Sequence, residues 1–110
     1  MERNKEESKA KYPEAKIYTS VEEMLECEDL QIVVINTPVQ THFEYAKKTL
    51  EAGKNVIVEK PFTVNSEEAE TLAKLAEKKN LFLSVYQNRR FDRDYLQVQK
   101  ILKEGNLGNI

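Results

Sequence analysis

Three short apolar runs, Ile32 to Ile35, Val56 to Val58 and Leu81 to Val85, are separated by two stretches that repeat at helical spacing. This alternation restricts the possible folds more than any other feature of the chain. Ile32-Val-Val-Ile35 is an unbroken β-branched run, which suits a strand buried on both faces of a parallel sheet better than one with a wet side. Between the first two runs, Phe43, Ala46 and Leu50 recur on one helical face, and Gly53 stands where a left-handed C-cap belongs. Between the second and third, a helix begun by Asn65 or Ser66 carries Ala69, Leu72, Ala73 and Ala76 on one face. It closes in Lys78 and Lys79, which oppose the negative end of the helix dipole. Strands that alternate with helices of this length are joined by right-handed crossovers into a parallel sheet, an α/β fold.

The flanking segments add helices. Glu2 to Tyr12 reads as an exposed, charged helix that Pro13 stops. A short extended piece follows around Ile17 and Tyr18, and Ser20 to Glu23 has the spacing of a capping box ahead of an apolar face of Val21, Met24 and Leu25. Downstream, a last helix from about Asp92 is expected to turn Tyr95, Val98, Ile101 and Leu102 inward before Gly105. The 110 residues amount to one domain at most. With 17 Lys and Arg against 19 Asp and Glu, the chain has no basic excess with which to engage nucleic acid. The longest uncharged run, Leu30 to Thr41, falls well short of a bilayer span, and the charged start does not read as a secretory signal, so no membrane partner is expected. The single cysteine, Cys27, forms no internal disulfide and has no companions for a metal site. A reducing, cytoplasmic setting and no bound metal are the expectation.

In open parallel sheets, ligands lie beyond the carboxyl ends of the strands. Three unusual stretches fall just there: Asn36-Thr-Pro38, Glu59-Lys-Pro61 and Gln87-Asn-Arg-Arg90. Taken singly each has an ordinary explanation. A lysine after a buried strand is more often a solvated strand end than a catalytic group, Pro38 and Pro61 can terminate strands, and Arg89 and Arg90 can be paired surface charges. His42, the only histidine, sits in the first turn of its helix and could be a side chain with no duty. Three polar strand ends at one edge, with an acid and a base side by side at Glu59 and Lys60, point together to a shared cleft. A glycine-rich phosphate turn would normally accompany such a cleft. Here Gly53 and Gly105 end helices and Gly108 lies in a final turn, so none of the three glycines supplies it.

The motifs T-P-x-x-x-H, A-G-K-x-V-x-x-E-K-P and N-R-R-F, in this order within "VINTPVQTHFEYAKKTLEAGKNVIVEKPFTVNSEEAETLAKLAEKKNLFLSVYQNRRFD", carry a resemblance that covers nearly the whole chain. The sequence resembles the N-terminal domain of the glucose-fructose oxidoreductase, inositol dehydrogenase and MocA-like family of NAD(P)-dependent oxidoreductases. The resemblance implies a Rossmann-like parallel sheet with flanking helices that is incomplete here: the first strand, the glycine-rich turn and the first helix would lie upstream of Met1. It makes residues 1–110 a partial NAD(P)-binding domain, with the substrate domain absent. The family works on sugars, polyols or related hydroxyl compounds, with NAD or NADP as cofactor, and the parent enzyme would be a homo-oligomer. By the same resemblance, Lys60 is the catalytic lysine, holding the substrate oxygen as hydride passes to or from the nicotinamide. Asn36, Thr37, Pro38, His42, Glu59 and Asn88 would lie along the cofactor, and Arg89 near the substrate. Glu2 and Arg3 fall near the end of the second strand, where an acid favours a ribose hydroxyl and an arginine a phosphate on it. The chain alone is expected to be inactive, since the proton donor and acceptor of the family reside in the other domain.

Two alternatives stand beside this reading. Lys60-Pro-Phe62 fits locally the strand end of a phosphorylation-controlled receiver domain, although Asn36 rather than an aspartate ends the preceding strand. The other alternative is a non-catalytic interaction module derived from the oxidoreductase family.

Overall fold

The computed structural model describes residues 5–105 and residue 108. Glu2 and Arg3 lie outside the described residues. The described elements are α1 (Lys5–Lys11), α2 (Val21–Leu25), β1 (Ile32–Ile35), α3 (His42–Glu51), β2 (Asn55–Val58), α4 (Ser66–Lys79), β3 (Leu83–Val85) and α5 (Arg93–Lys103), with 3-10 turns at Val39–Thr41 and Asn88–Phe91. The three strands pair in the order β1-β2-β3, all parallel, as the alternating pattern predicts. The third strand is shorter than the apolar run, starting at Leu83 rather than Leu81, although the Phe82 carbonyl still accepts from the Val56 N–H at 2.9 Å.

Local chemistry sets the boundaries. The Asn65 side chain accepts from the Glu68 N–H at 2.9 Å and so caps α4. Ser20 Oγ accepts from the Glu23 N–H at 3.4 Å, while its own hydroxyl donates to Glu22 at 2.8 Å, so only half of a capping box forms. Gly53, at φ +75, reverses the chain after α3 in the left-handed region that glycine enters without a Cβ penalty. The Lys79 ammonium donates to the Glu51 carbonyl at 3.0 Å, so the basic end of α4 also satisfies an open carbonyl at the end of α3. At the start of β2, the Asn55 amide donates to the Gln31 carbonyl at 3.0 Å and accepts from the Phe82 N–H at 2.8 Å, bridging both neighbouring strands.

Packing is one-sided. Registers Val33↔Val56↔Leu83 and Ile35↔Val58↔Val85 place one row of side chains toward α3 and α4. There Ile35, Val56, Val58, Ala46, Leu50, Leu72 and Ala76 form the buried core. Ala73 stays exposed beside it. The other row, Val34↔Ile57↔Ser84, faces away, and Val34 is 63% exposed. The expectation of β1 buried on both faces is therefore corrected: an unbroken apolar run supplies two apolar faces, and among the described residues only one is covered. The inward face expected of the last helix is corrected too. Tyr95, Val98 and Leu102 are 39%, 52% and 46% exposed, because α5 packs mainly on the preceding 3-10 turn and not on the sheet. The chain exposes 8977 Å² of surface, whereas a compact monomer of this mass would expose roughly 6,300 Å².

The helix ahead of the sheet is tied to it by charge. Lys48 on α3 lies 2.8 Å from Glu22 on α2 and 2.8 Å from Glu44. The hydrogen bond from Lys48, helped by contacts from the backbone and Ser20, lowers the Glu22 carboxyl from 4.5 to about 2. A lowered carboxyl contributes stability above its unfolded value and loses it as pH falls toward the folded one. The contribution of this pair should therefore disappear between pH 4.5 and about 2. Denaturation at several pH values is expected to show a Glu22→Gln variant with a shallower acid slope in that window. The difference should shrink in 1 M salt, since the pair is exposed. In the core, Leu50→Ala and Leu72→Ala are each expected to cost about 2–5 kcal/mol by urea denaturation, and Val34→Ala less than about 0.5 kcal/mol. Equal losses at Val34 and Leu50 would contradict the one-sided core.

Candidate functional site

A parallel sheet delivers all its strand ends to one edge, and here the register aligns them. Ile35, Val58 and Val85 are partners across the three strands, so Asn36, Glu59 and Tyr86 are the first residues beyond them. The ladder runs on one step at the backbone: the Glu59 N–H donates to the Ile35 carbonyl and the Tyr86 N–H to the Val58 carbonyl, each at 2.9 Å. Glu59 and Lys60 are thereby held beside Asn36 and Thr37 on a rigid scaffold.

The side chains at this edge differ in what they have left to offer. Glu59 is half-buried, and one carboxylate oxygen accepts the Lys60 backbone N–H at 2.9 Å, leaving the other for a ligand. Lys60 is exposed, and its ammonium has no hydrogen bond or ion pair among the described residues; the Lys60–Pro61 peptide is cis. Asn36 and Asn88 are likewise exposed with unspent amides. The Thr37 and Thr41 hydroxyls lie 2.7 Å apart, and Thr41 donates to the Pro38 carbonyl at 2.7 Å, which stiffens the turn after β1. Pro38 itself offers no N–H there.

His42 stands apart from the others. The ring is 1% exposed, so it lies beneath the edge and not on it. Nε2 is 2.9 Å from the Thr37 carbonyl, and Nδ1 is 2.8 Å from the Pro61 carbonyl and 3.3 Å from that of Phe62. Its hydrogen-bonding capacity is thus directed at the backbone of two loops.

The third stretch is less integrated. Arg89 is paired with Asp92 at 2.8 Å, and that hydrogen bond raises the guanidinium above its ordinary value. The guanidinium of Arg90, its neighbour, has no partner among the described residues. Together with Tyr86, Asn88 and Phe91 it lines an open cavity of about 740 Å³ on the uncovered face of the sheet near Ile57 and Ser84. No hydrogen bond joins Asn88 or Arg89 to the first two loops among the described residues. Tyr86, half-exposed at the end of β3, is not distinguished by its residue type alone. The arginine pairing was available in the Arg89-to-Asp92 spacing.

As a binding surface, this edge offers a free carboxylate oxygen, unspent amides and an unpaired ammonium. These groups suit the hydroxyls, carboxamide and negative charge of a nicotinamide nucleotide. The residues present fit that half of a dinucleotide; among the described residues no glycine-rich turn with free amides is available to its pyrophosphate. Groups of three or more acidic, cysteine or histidine side chains that could hold a metal ion are absent among the described residues. No described helix is long and apolar enough to cross a membrane.

A family model described as an oxidoreductase family with an NAD-binding Rossmann fold matches residues 1–87. An uncharacterized oxidoreductase, C115.03 of Schizosaccharomyces pombe, is 46% identical over 106 residues, which cover 94% of this chain and 29% of that protein. The scyllo-inositol 2-dehydrogenase (NADP(+)) IolW of Bacillus subtilis is 40% identical over 105 residues, covering 96% of this chain and 29% of its own length. A crystal structure of an oxidoreductase from Bacillus cereus superposes with a TM-score of 0.82 at 44% identity, over 98% of this chain and 31% of that one. The chain thus spans about three tenths of the length of the curated relatives it matches.

Proposed function

The chain belongs to the Gfo/Idh/MocA family of NAD-binding oxidoreductases, and from that premise we propose that it forms part of the dinucleotide domain of an enzyme acting on a sugar, polyol or related hydroxyl or carbonyl compound. The observation that carries this reading is the side-by-side placement of Asn36-Thr37 and Glu59-Lys60 at the ends of two hydrogen-bonded strands, with the Lys60 ammonium unspent. In a protein of the relatives' length, the substrate domain and the group that takes or gives the proton belong to the remaining sequence.

The nicotinamide, when bound, supplies the hydride acceptor or donor. Lys60 orients the substrate oxygen and stabilises the negative charge that develops on it, an interaction stronger in the transition state than in the ground state. Glu59 accepts from ribose hydroxyls through its free oxygen. Asn36, Thr37 and Pro38 line the nicotinamide-side ribose and phosphate, and Asn88 approaches the same half of the cofactor. Arg89 contributes to the substrate side only if it exchanges its contact with Asp92 for one with the ligand. Without a glycine-rich turn, the chain by itself binds dinucleotide weakly and turns over no substrate.

In the full-length protein, Lys60→Ala is expected to lower kcat on the order of a hundredfold, or about 3 kcal/mol of transition-state stabilisation, with little change in dinucleotide affinity. Glu59→Ala should act the other way, weakening the dinucleotide more than it slows turnover. Steady-state kinetics and fluorescence titration with NADH and NADPH check both. Normal turnover by Lys60→Ala would return Lys60 to the role of a solvated charge after a buried strand.

A further inference from the structure

His42 is the only buried titratable side chain among the described residues, and nothing in the chemistry assigned to the strand ends requires it. Its surroundings are unusual for a packed imidazole. Every hydrogen-bonding partner is a backbone carbonyl, and the partners come from two separate loops: Thr37 at 2.9 Å on one side, Pro61 at 2.8 Å and Phe62 at 3.3 Å on the other. The ring is the first side chain of α3, a helix anchored in the core through Ala46 and Leu50. One rigid element therefore grips the loop that carries Asn36 and Thr37 and the loop that carries Glu59 and Lys60.

We propose that His42 is the positioning residue that sets these two loops against each other, each ring nitrogen governing one loop; because every partner is a carbonyl acceptor, both grips close together only when both ring nitrogens carry an N–H, as in the imidazolium. The Nδ1 side fixes Pro61 and Phe62, and through them the direction in which Lys60 leaves the sheet. The Nε2 side fixes Thr37, and through it the turn offered to the dinucleotide. This inference rests on the roles proposed above for Lys60 and Thr37. It replaces a direct contact between His42 and cofactor, which a ring 1% exposed and already directed at three carbonyls does not make.

Amide side chains separate the two grips, because each carries an N–H near one ring nitrogen. His42→Asn places its amide nitrogen near Nδ1 and retains the hold on Pro61. His42→Gln reaches the position of Nε2 and retains the hold on Thr37. In the full-length protein a crossed pattern is expected. His42→Asn should keep kcat within about threefold and weaken dinucleotide binding about tenfold or more, and His42→Gln should keep binding and lose kcat by a similar factor. Hydrogen exchange of the unliganded protein should follow suit, with residues 37–41 opening in the first variant and 59–63 in the second. A histidine that merely fills space would lower the folded fraction in both variants and leave kcat and affinity per folded molecule unchanged; that result would overturn the proposal. So would parallel losses of both quantities in both variants. If neither variant folds, nitrogen-15 NMR of the unsubstituted protein decides: slowly exchanging N–H groups at both ring nitrogens support the two grips, and a ring with a protected N–H at one nitrogen or at neither overturns them. If Lys60→Ala retains normal turnover, the functional reading itself fails. A loss at Lys60→Ala without the crossed pattern removes only the role of His42.

Discussion

Backbone pairing on both sides of β2 is the constraint from which the rest of this structure follows. All four of its residues pair with β1 and three of them with β3, and the same strand contributes Val56 and Val58 to the core shared with α3 and α4. Because the pairing is parallel, each strand must return through a helix on the same side. The chain thus stacks α3 and α4 over one face and brings every strand end to one edge. Apolar burial then stabilises the arrangement, while the edge is left polar. That division permits Glu59 and Lys60 to stand at the end of a buried run at small energetic cost: the ladder ends one residue beyond the strand, and both charges leave it where water or a ligand can reach them.

The edge joins rigid and unspent groups. The turns after β1 and β2 have short-range contacts that hold their shape, including the Thr37–Thr41 hydroxyl pair and the carbonyls around the His42 ring. The side chains projecting from them, Asn36 and Lys60 above all, have no protein partner among the described residues. Binding surfaces of this kind hold the scaffold by backbone chemistry and leave charge and amide groups for the ligand. The third loop is different, since Arg89 is already occupied by Asp92.

Strand identity and order were legible because β-branched runs and helical repeats differ in period, and because Asn65 and Gly53 mark helix ends by chemistry that depends on residue type. Which sheet face is covered was not legible. In Ile32-Val-Val-Ile35 both faces are apolar, so no alternation distinguishes exposed Val34 from buried Ile35. The stripe of Tyr95, Val98 and Leu102 announces a face suited to burial and says nothing about what buries it. At the site, positions at strand ends could be located from the pattern, as Lys60 was. The situation of His42 could not, because its partners are carbonyl oxygens that every residue possesses and that only the folded path of the chain brings together.

Asn55 gives the sheet a polarity that hydrophobic packing cannot. Its amide donates to the Gln31 carbonyl, 24 residues earlier, and accepts from the Phe82 N–H, 27 residues later, so one side chain closes two long chain loops at once. The two contacts require opposite ends of the amide. A rotated side chain would set a donor against a donor and an acceptor against an acceptor, and an aspartate of the same shape would have nothing to give the Gln31 carbonyl. In kinetic terms Asn55 is a junction between two crossover units. Each loop closure carries its own entropic cost, and whichever unit forms first fixes the amide in the orientation that the second needs. Two segments distant in sequence thus exchange information about register through a single planar group.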